Sequence, residues 1–490
     1  MAVFRKFCDM LLFYIFFLPT VPLLLTLVLI FWLLPVLLYR SIVWVLARTF
    51  RKDLLSFVSG IAGAYVDPDP NKTISNFLVG FVLTGDISSE RISQLFQERV
   101  LNLKDAKGNF VYLRLQQSVA RFMGYAFWKN DPNFLVSNHV RDYDYQGDLR
   151  LSQTPDEHEI QRIWLSLAEA PWKTNQSPWE YLVVRNYCHA GTTKPHSLII
   201  FRVDHVYCDY YSLTGLFRVA FRSPFATVKL SGKNTGLSWK QLKSLLTIPY
   251  DIFVKMCTNE NKKSPLGERH GSSNLCFNYT STIHVDEIKL IRKNHGVAYN
   301  AVILSAINGA IARALSDAGA TPPESINLGY GLPLSNHPGG FNVHVTQSTM
   351  ELPCYAECPK QRLRQTHDII VEGADSLLQL VFAYFLRFLA LAPVPIIWTL
   401  QRQILAPSKF LPSYFLTNMP VTTTKENVDG LEIVDIFHGV SVTHGIGLFI
   451  SCLGINNKQR FFFNMDKSVF GDEASAKKIS VYFEEELKAL

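Results

Sequence analysis

The 490-residue chain contains neither Gly-x-Ser-x-Gly nor His-Glu-x-x-His, so nothing in it points to a serine or zinc hydrolase. No segment repeats at a 20 to 50 residue period, which excludes a solenoid or propeller. Its eight cysteines share no repeated spacing. That argues against a disulfide framework and suits reduced thiols on a cytosol-facing protein. Cys354 and Cys358 are the only close pair, and no second pair or suitably spaced His completes four ligands, so no metal is expected. The net charge of +7 is modest and dispersed. It speaks against nucleic acid as a partner and suits an anionic co-substrate or an anionic membrane surface.

Charge is also missing from Met10 to Tyr39. As one helix these 30 residues span about 45 Å, against a hydrocarbon core of about 30 Å. Pro19, Pro22 and Pro35 interrupt the run. It fits a tilted, kinked single span or a re-entrant hairpin turning near Pro19 to Pro22, with a buried soluble helix as the alternative. It is too long for a signal peptide. Arg5 and Lys6 precede it, whereas Arg40, Arg48, Arg51 and Lys52 follow, so the body is expected on the cytosolic side. The sequons at Asn71, Asn175 and Asn278 would be used only if the body were lumenal.

Apolar bulk is plentiful, at 48% hydrophobic and 13% aromatic residues, and the length suggests roughly two or three domains. Strands are expected at 76–86, 179–187 and 197–203, the last two paired. Helices are expected at 88–100, with Ser88 or Ser89 as N-cap, and at 152–167. Residues 128–144 read as loop-rich. A polar, Pro- and Gly-containing stretch at 257–273 marks a domain boundary. Beyond it come a strand at 274–284, a helix at 286–294 stopped by Gly296, and an Ala-rich buried helix at 300–315. Strands follow at 328–332 and 343–352, around the Pro-Gly-Gly turn at 338–340. The apolar stretch 377–405 carries Arg387, Pro393 and Pro395, and reads as a helix pair that is core or lies in the membrane interface. Strands at 414–417, 445–452 and 460–464 and a helix at 473–487 close the chain.

The stretch with chemical promise is Ser197 to Tyr210, Ser-Leu-Ile-Ile-Phe-Arg-Val-Asp-His-Val-Tyr-Cys-Asp-Tyr. A β-branched and aromatic run reads as a strand buried on both faces, and it ends at Asp204, His205 and Asp209 before a helical segment. Rigid strand ends hold catalytic groups well. His205 can act as a general base because imidazole exchanges protons near neutral pH, and Asp209 can fix its tautomer or brace the turn. A His at a strand end that only hydrogen-bonds the backbone would look the same.

Asp204-His-Val-Tyr-Cys-Asp-Tyr210 resembles the His-His-x-x-x-Asp-Gly motif of the wax ester synthase/diacylglycerol acyltransferase family, within the CoA-dependent acyltransferases. Further likenesses follow in order. Gly296 to Leu315 is similar to the family's Gly-x-Thr-x-Asn-Asp-Val helix, and Pro333-Leu-Ser335 with Asn342 to its Pro-Val-Ser and Gly-Asn segment. Pro359 to His367 resembles its Asp-Pro-x-x-Arg-Leu-x-x-x-His stretch, with Arg362 and Leu363 in register. Thr417-Asn-Met-Pro420 resembles its Ser-Asn-Val-Pro-Gly-Pro turn, and Asn464-Met-Asp466 its closing strand and Asp. The departures are Asp204 for the first His, Tyr210 for the Gly and Ala301 for the Asp. An ionised Asp204 beside His205 favours imidazolium unless it points away. Tyr210 has to find room or narrow the channel.

The resemblance implies an α/β protein of two chloramphenicol-acetyltransferase-like domains around a central tunnel, plus the N-terminal membrane segment. The implied division is an anchor at 1–55, domains at 56–225 and 274–490, and a connection at 226–273. It implies His205 as general base and Asp209 as brace, with Asn300, Asn418, Ser335 and Asn342 binding substrate or serving the fold. It implies acyl-CoA as co-substrate with no bound cofactor. The acceptor would be a fatty alcohol or diacylglycerol at the endoplasmic reticulum or a lipid-droplet surface. A relative that binds acyl-CoA or lipid without turnover is the alternative.

Overall fold

The structure is a computed structural model that describes residues 2–490 except 68, 70–74, 174–175, 190–191, 193, 227–246, 248–249, 251–265, 267–274, 374–377, 401–411 and 442–445. The expected connection at 226–273 and the sequons at Asn71 and Asn175 therefore lie mostly outside the described residues.

Two sheets form the body. The first runs Asn427–Val428, Leu431–Val440, Asn76–Thr84, His196–Asp204, Trp179–Tyr187, Val140–Asp142. Its centre is buried on both faces: every residue from His196 to Val203 is inaccessible, as the unbroken apolar run requires. On one face Phe81 meets Phe217 and Phe221 of the helix Tyr210–Phe221. On the other, Trp164 of the helix Glu157–Ala168 lies flat against the sheet. That helix begins at Glu157 rather than 152, because Asp156 caps it by accepting from the Glu159 amide.

The second sheet runs Val345–Pro353, Ser325–Pro333, Tyr414–Asn418, Leu448–Ile455, Lys458–Asp466, Leu275–Tyr279, with Ile283–His284 also on Lys458–Asp466. The Ala-rich helix Tyr299–Asp317 backs it, buried at every residue from 301 to 312. Arg362 crosses to this helix, donating to the Ser305 carbonyl and pairing with Glu486. Asn278 is buried with its amide on Lys477 and Ser480, so this sequon is closed in the native fold.

The division into 56–225 and 274–490 does not separate the sheets. The strand Leu431–Val440 leaves the second half of the chain and pairs antiparallel with Asn76–Thr84, from Ile433 opposite Leu83 to Val440 opposite Phe77. Sequence reading placed no strand there. It also missed the hairpin Gln117–Phe122/Tyr125–Asn130, which joins Leu54–Phe57 in a small third sheet. The reason is its turn: Met123 (φ 47°) and Gly124 (φ 76°) both take positive φ, and Met does not announce such a turn.

The N-terminal segment is one continuous helix: Ala2–Val28, a π turn Leu29–Leu33, then Leu34–Phe50. The hairpin does not form. Pro19 and Pro22 sit within the helix, and Pro35 directly follows the π segment, where the i→i−4 hydrogen-bond ladder is already interrupted. The second half docks on the body through Val43 and Ala47 against Leu54, Tyr125 and Phe127. Val36 meets Ala392 and Ile397. The helix pair expected within 377–405 is present as Leu378–Leu389 and Val394–Leu400, with one side buried and one exposed.

Gly439 on the crossing strand lets Trp164 approach. A Cβ there would stand 2.2 Å from the indole Nε1 and 2.6 Å from Cδ1, and the indole is fully buried. Gly439→Ala is expected to destabilise the fold by about 1–3 kcal/mol through overpacking, read as a lower urea midpoint. An unchanged midpoint would show that Trp164 can shift freely.

Candidate active site

The motif sits where sequence reading put it, in the turn between the core strand and the helix Tyr210–Phe221. The His205 amide donates to the Ser75 carbonyl at 2.7 Å, and the Tyr207 amide to the Asp204 carbonyl at 3.1 Å. Strand, turn and helix thus fix the backbone of residue 205 from both sides.

The imidazole is held by rings. Tyr65 stacks on it at 4.3 Å between centroids and 13° between planes, and Phe77 leans on it at 4.3 Å and 45°. Its Nδ1 is buried and meets no side-chain hydrogen-bond partner among the described residues, the backbone of His205 and Cys208 being its polar surroundings. Burial holds the imidazole below its ordinary pKa, so it is a neutral base at pH 7. Tyr65 comes from the 3-10 turn Gly60–Tyr65, and its hydroxyl accepts from Gln347 Nε2 of the second sheet at 3.1 Å. Burial pushes that phenol up to about 12. Nothing in Gly-Ile-Ala-Gly-Ala-Tyr signals chemistry, so Tyr65 and Gln347 were invisible in the sequence.

Asp209 makes no hydrogen bond to the His205 ring and acts on it only by its charge. It caps the helix, accepting from the Ser212 amide at 2.9 Å. Its other oxygen accepts from His337 Nε2 at 2.9 Å and from the His344 amide at 2.7 Å, both in the second half of the chain. Because Gly339 N donates to His337 Nδ1 at 3.0 Å, the proton of this imidazole lies on Nε2. Burial alone would raise the Asp209 pKa. The hydrogen bond from His337, with the two amides, brings it below the ordinary carboxylate value.

The other motif residues divide. Asn342 belongs to this clasp: its carbonyl accepts from Asp209 N at 3.1 Å and from Ser212 Oγ at 2.6 Å. Asn300 and Asn418 line the cavity as a pair, Asn418 Nδ2 donating to Asn300 Oδ1 at 2.9 Å. Ser335 does not join them. It is exposed in the turn after Ser325–Pro333, because its neighbour Leu334 takes the buried position. Ala301 is fully buried in the helix core. Tyr210 lines the cavity. Asp204 turns back to accept from the Val206 amide at 2.8 Å, and burial pushes its pKa up to about 7. At neutral pH about half of it keeps its proton, which reduces its pull toward imidazolium.

His205 opens onto a cavity of about 570 Å³ with walls from both sheets. Phe77, Leu332, Val345, Phe415 and Phe449 make much of it apolar, and Thr417, Gln459 and Lys289 add polar groups. The size suits a small-molecule site. Among the described residues no cluster of His, Cys, Asp or Glu could hold a metal ion.

Residues 344–490 match the family model of the WS/DGAT C-terminal domain. No curated protein sequence matches significantly. The chain has the fold of the wax ester synthase/diacylglycerol acyltransferase of Marinobacter aquaeolei VT8, with TM-score 0.54 and 13% identity over 86% of this chain and 95% of that one. Trichothecene 15-O-acetyltransferase of Fusarium sporotrichioides matches with TM-score 0.58 and 12% identity, over 89% and 94%. The first condensation domain of the calcium-dependent antibiotic synthetase matches with TM-score 0.56 and 10% identity, over 89% and 97%.

The raised Asp204 carboxyl has a consequence for stability. Between the unfolded value of about 4 and the folded value of about 7, only the folded chain keeps the proton. Its stabilising contribution is therefore complete below about pH 4 and lost as pH rises through 7. Urea midpoints at pH 5 and pH 8 should show the wild type losing more stability than Asp204→Asn over this interval. Parallel changes in the two proteins would contradict the shift.

Proposed function

We propose that this chain is a membrane-anchored O-acyltransferase that moves a long-chain acyl group from acyl-CoA to a fatty alcohol or to diacylglycerol. The observation that carries the reading is a neutral imidazole, held between two aromatic rings, at the wall of an apolar cavity shared by two sheets of acyltransferase fold. The family match over 344–490 supports it.

The chemistry follows from what a thioester lacks. Its carbonyl is already activated, so neither a metal nor a covalent enzyme intermediate is needed. A base is needed to take the hydroxyl proton as the alcohol oxygen attacks. His205 supplies it and then returns the proton to the departing CoA thiolate, completing the ester. The tetrahedral oxyanion formed between these steps requires donors, and the polar groups of the second sheet that face the cavity are the source we assign. Tyr65 and Phe77 position the base by fixing the plane of its ring. Asp209 acts at one remove, by holding the turn. The helix Cys8–Phe50, uncharged from Met10 to Tyr39 and only 6% buried in its most apolar window, is read as the anchor. An anchored enzyme meets an acceptor and releases a product that both dissolve in the bilayer. The basic cluster from Arg40 to Lys52 supports a body on the cytosolic side, and we assign it to the endoplasmic reticulum or a lipid-droplet surface.

One observation favours a second reading, a relative that binds acyl-CoA or lipid without turnover. Tyr210 lines the cavity where the family motif has Gly, and its ring takes up room there.

CoA release from a long-chain acyl-CoA, with each acceptor supplied separately, decides between them. His205→Ala is expected to lower the rate about 10²–10⁴-fold. The acid limb of kcat/KM for the native protein is expected below the ordinary His value of about 6.5, because burial depresses the imidazole. Equal rates for native and variant protein would remove His205 as the base. Saturable lipid binding with no CoA release in either would establish the non-catalytic reading.

A further inference from the structure

The N-terminal helix is longer than a membrane needs. Cys8–Phe50 is 43 residues, about 65 Å, more than twice the hydrocarbon core. Its second half, Leu34–Phe50, lies against the body, and its outer side is apolar as far as Val45: Leu34, Leu38, Ile42 and Val45 are 53%, 65%, 46% and 54% exposed, and the exposed Arg48 follows only in the last turn, donating to the Leu55 carbonyl. Arg40 does not break this side. Its guanidinium folds inward over the Phe57 ring at 3.8 Å and reaches the Leu391 carbonyl. Hydroxyls on the helix also ask nothing of water. Thr26 donates to the Pro22 carbonyl, Ser41 to Leu37 and Thr49 to Val45. Such internal pairing is what a polar group requires in hydrocarbon.

The paired helices Leu378–Leu389 and Val394–Leu400 continue this surface. Trp32 and Val36 pack beside Ala392 and Ile397, one to two turns on the uncharged side of Arg40, so the pair lies about 6–12 Å further toward the spanning half. Its outer residues are apolar: Val381 40%, Tyr384 65%, Phe385 41% and Ile396 40% exposed. Thr399 again donates to a carbonyl of its own helix, that of Pro395. From here the catalytic imidazole is close. Ala383 and Leu386 pack on Ile61 of the turn Gly60–Tyr65, and Tyr65 of that turn stacks on His205.

We propose that the outer sides of Leu34–Phe50 and of the paired helices form one surface sunk into a lipid bilayer, so that the acceptor reaches His205 from the membrane side past the turn Gly60–Tyr65. This rests on reading the N-terminal helix as a membrane anchor. A bilayer fits better than a second copy of the chain. The surface is continuous with the spanning half, and its hydroxyls are paired within their own helices, whereas a protein interface uses about one hydrogen bond per 100–200 Å².

The test is depth quenching on the full chain in phosphatidylcholine vesicles. Cys8, Cys188, Cys257 and Cys358 are first replaced by Ser. An environment-sensitive dye is then attached in Tyr384→Cys, Ile396→Cys, Phe31→Cys, Leu290→Cys or Val481→Cys, all exposed positions. Lipids with a spin label in the acyl chain should quench the dye at 384 and 396 at least half as strongly as at 31, and leave 290 and 481 unquenched. Quenching at 31 alone overturns the proposal and leaves the anchor and the acyl transfer standing. Absence of quenching at 31 overturns both the anchor and this surface. Cross-linking between copies through 384, without quenching, assigns the surface to a second chain and equally overturns it.

Discussion

A buried carboxylate cannot be left unsatisfied, and Asp209 is satisfied only if both halves of the chain are in place. One oxygen caps the helix Tyr210–Phe221, and the other takes donors from His337 and His344. A carboxylate stripped of these donors in a dry interior would cost several kcal/mol. The clasp thus holds the motif turn, the loop 337–344 and the facing cavity walls in one arrangement. The position of His205 is a consequence of it, since residues 205 and 209 share a turn anchored at Ser75 on one side and at the helix cap on the other.

The two sheets are joined a second way, through the strand Leu431–Val440. It lends the first sheet an edge that the first half of the chain does not encode, and it brings Gly439 under Trp164. The polar core beneath it is closed as well: Arg460 pairs with Asp435 of this strand and with Glu157 of the helix Glu157–Ala168. A cavity between lobes tied together twice keeps its shape, and with it the placing of the side chains that line it.

The N-terminal helix and the paired helices it packs on also bear on the position of His205. The residues that hold the imidazole are reached from the paired helices through a short turn, so one layer of packing separates those helices from His205. Tyr65 links these regions. It touches the base with its ring and the second sheet with its hydroxyl, while its own turn packs against the helix pair.

Local pattern alone was enough for the parts whose cause is local. The core strand at 197–203 shows as a β-branched run, the buried helix at 300–315 as an apolar Ala-rich one, and His205 stands at the end of that strand in plain view. Asn300 and Asn418 were legible as motif residues and meet in space. Ser335 had the same warrant and lies exposed, because a motif records position along the chain and not the direction of a side chain. The hairpin at 117–130 was missed because Met123 carries a conformation that its residue type does not advertise. The crossing strand, the Asp209 clasp and the Tyr65 stack join residues 128 or more positions apart. Periodicity and spacing carry no information over such separations. What the sequence determined by itself was which elements form and which side chain can carry a proton. The tertiary structure decided which rings hold that side chain, which groups neutralise its neighbours and which surface it faces, because burial and contact exist only once distant segments have packed together.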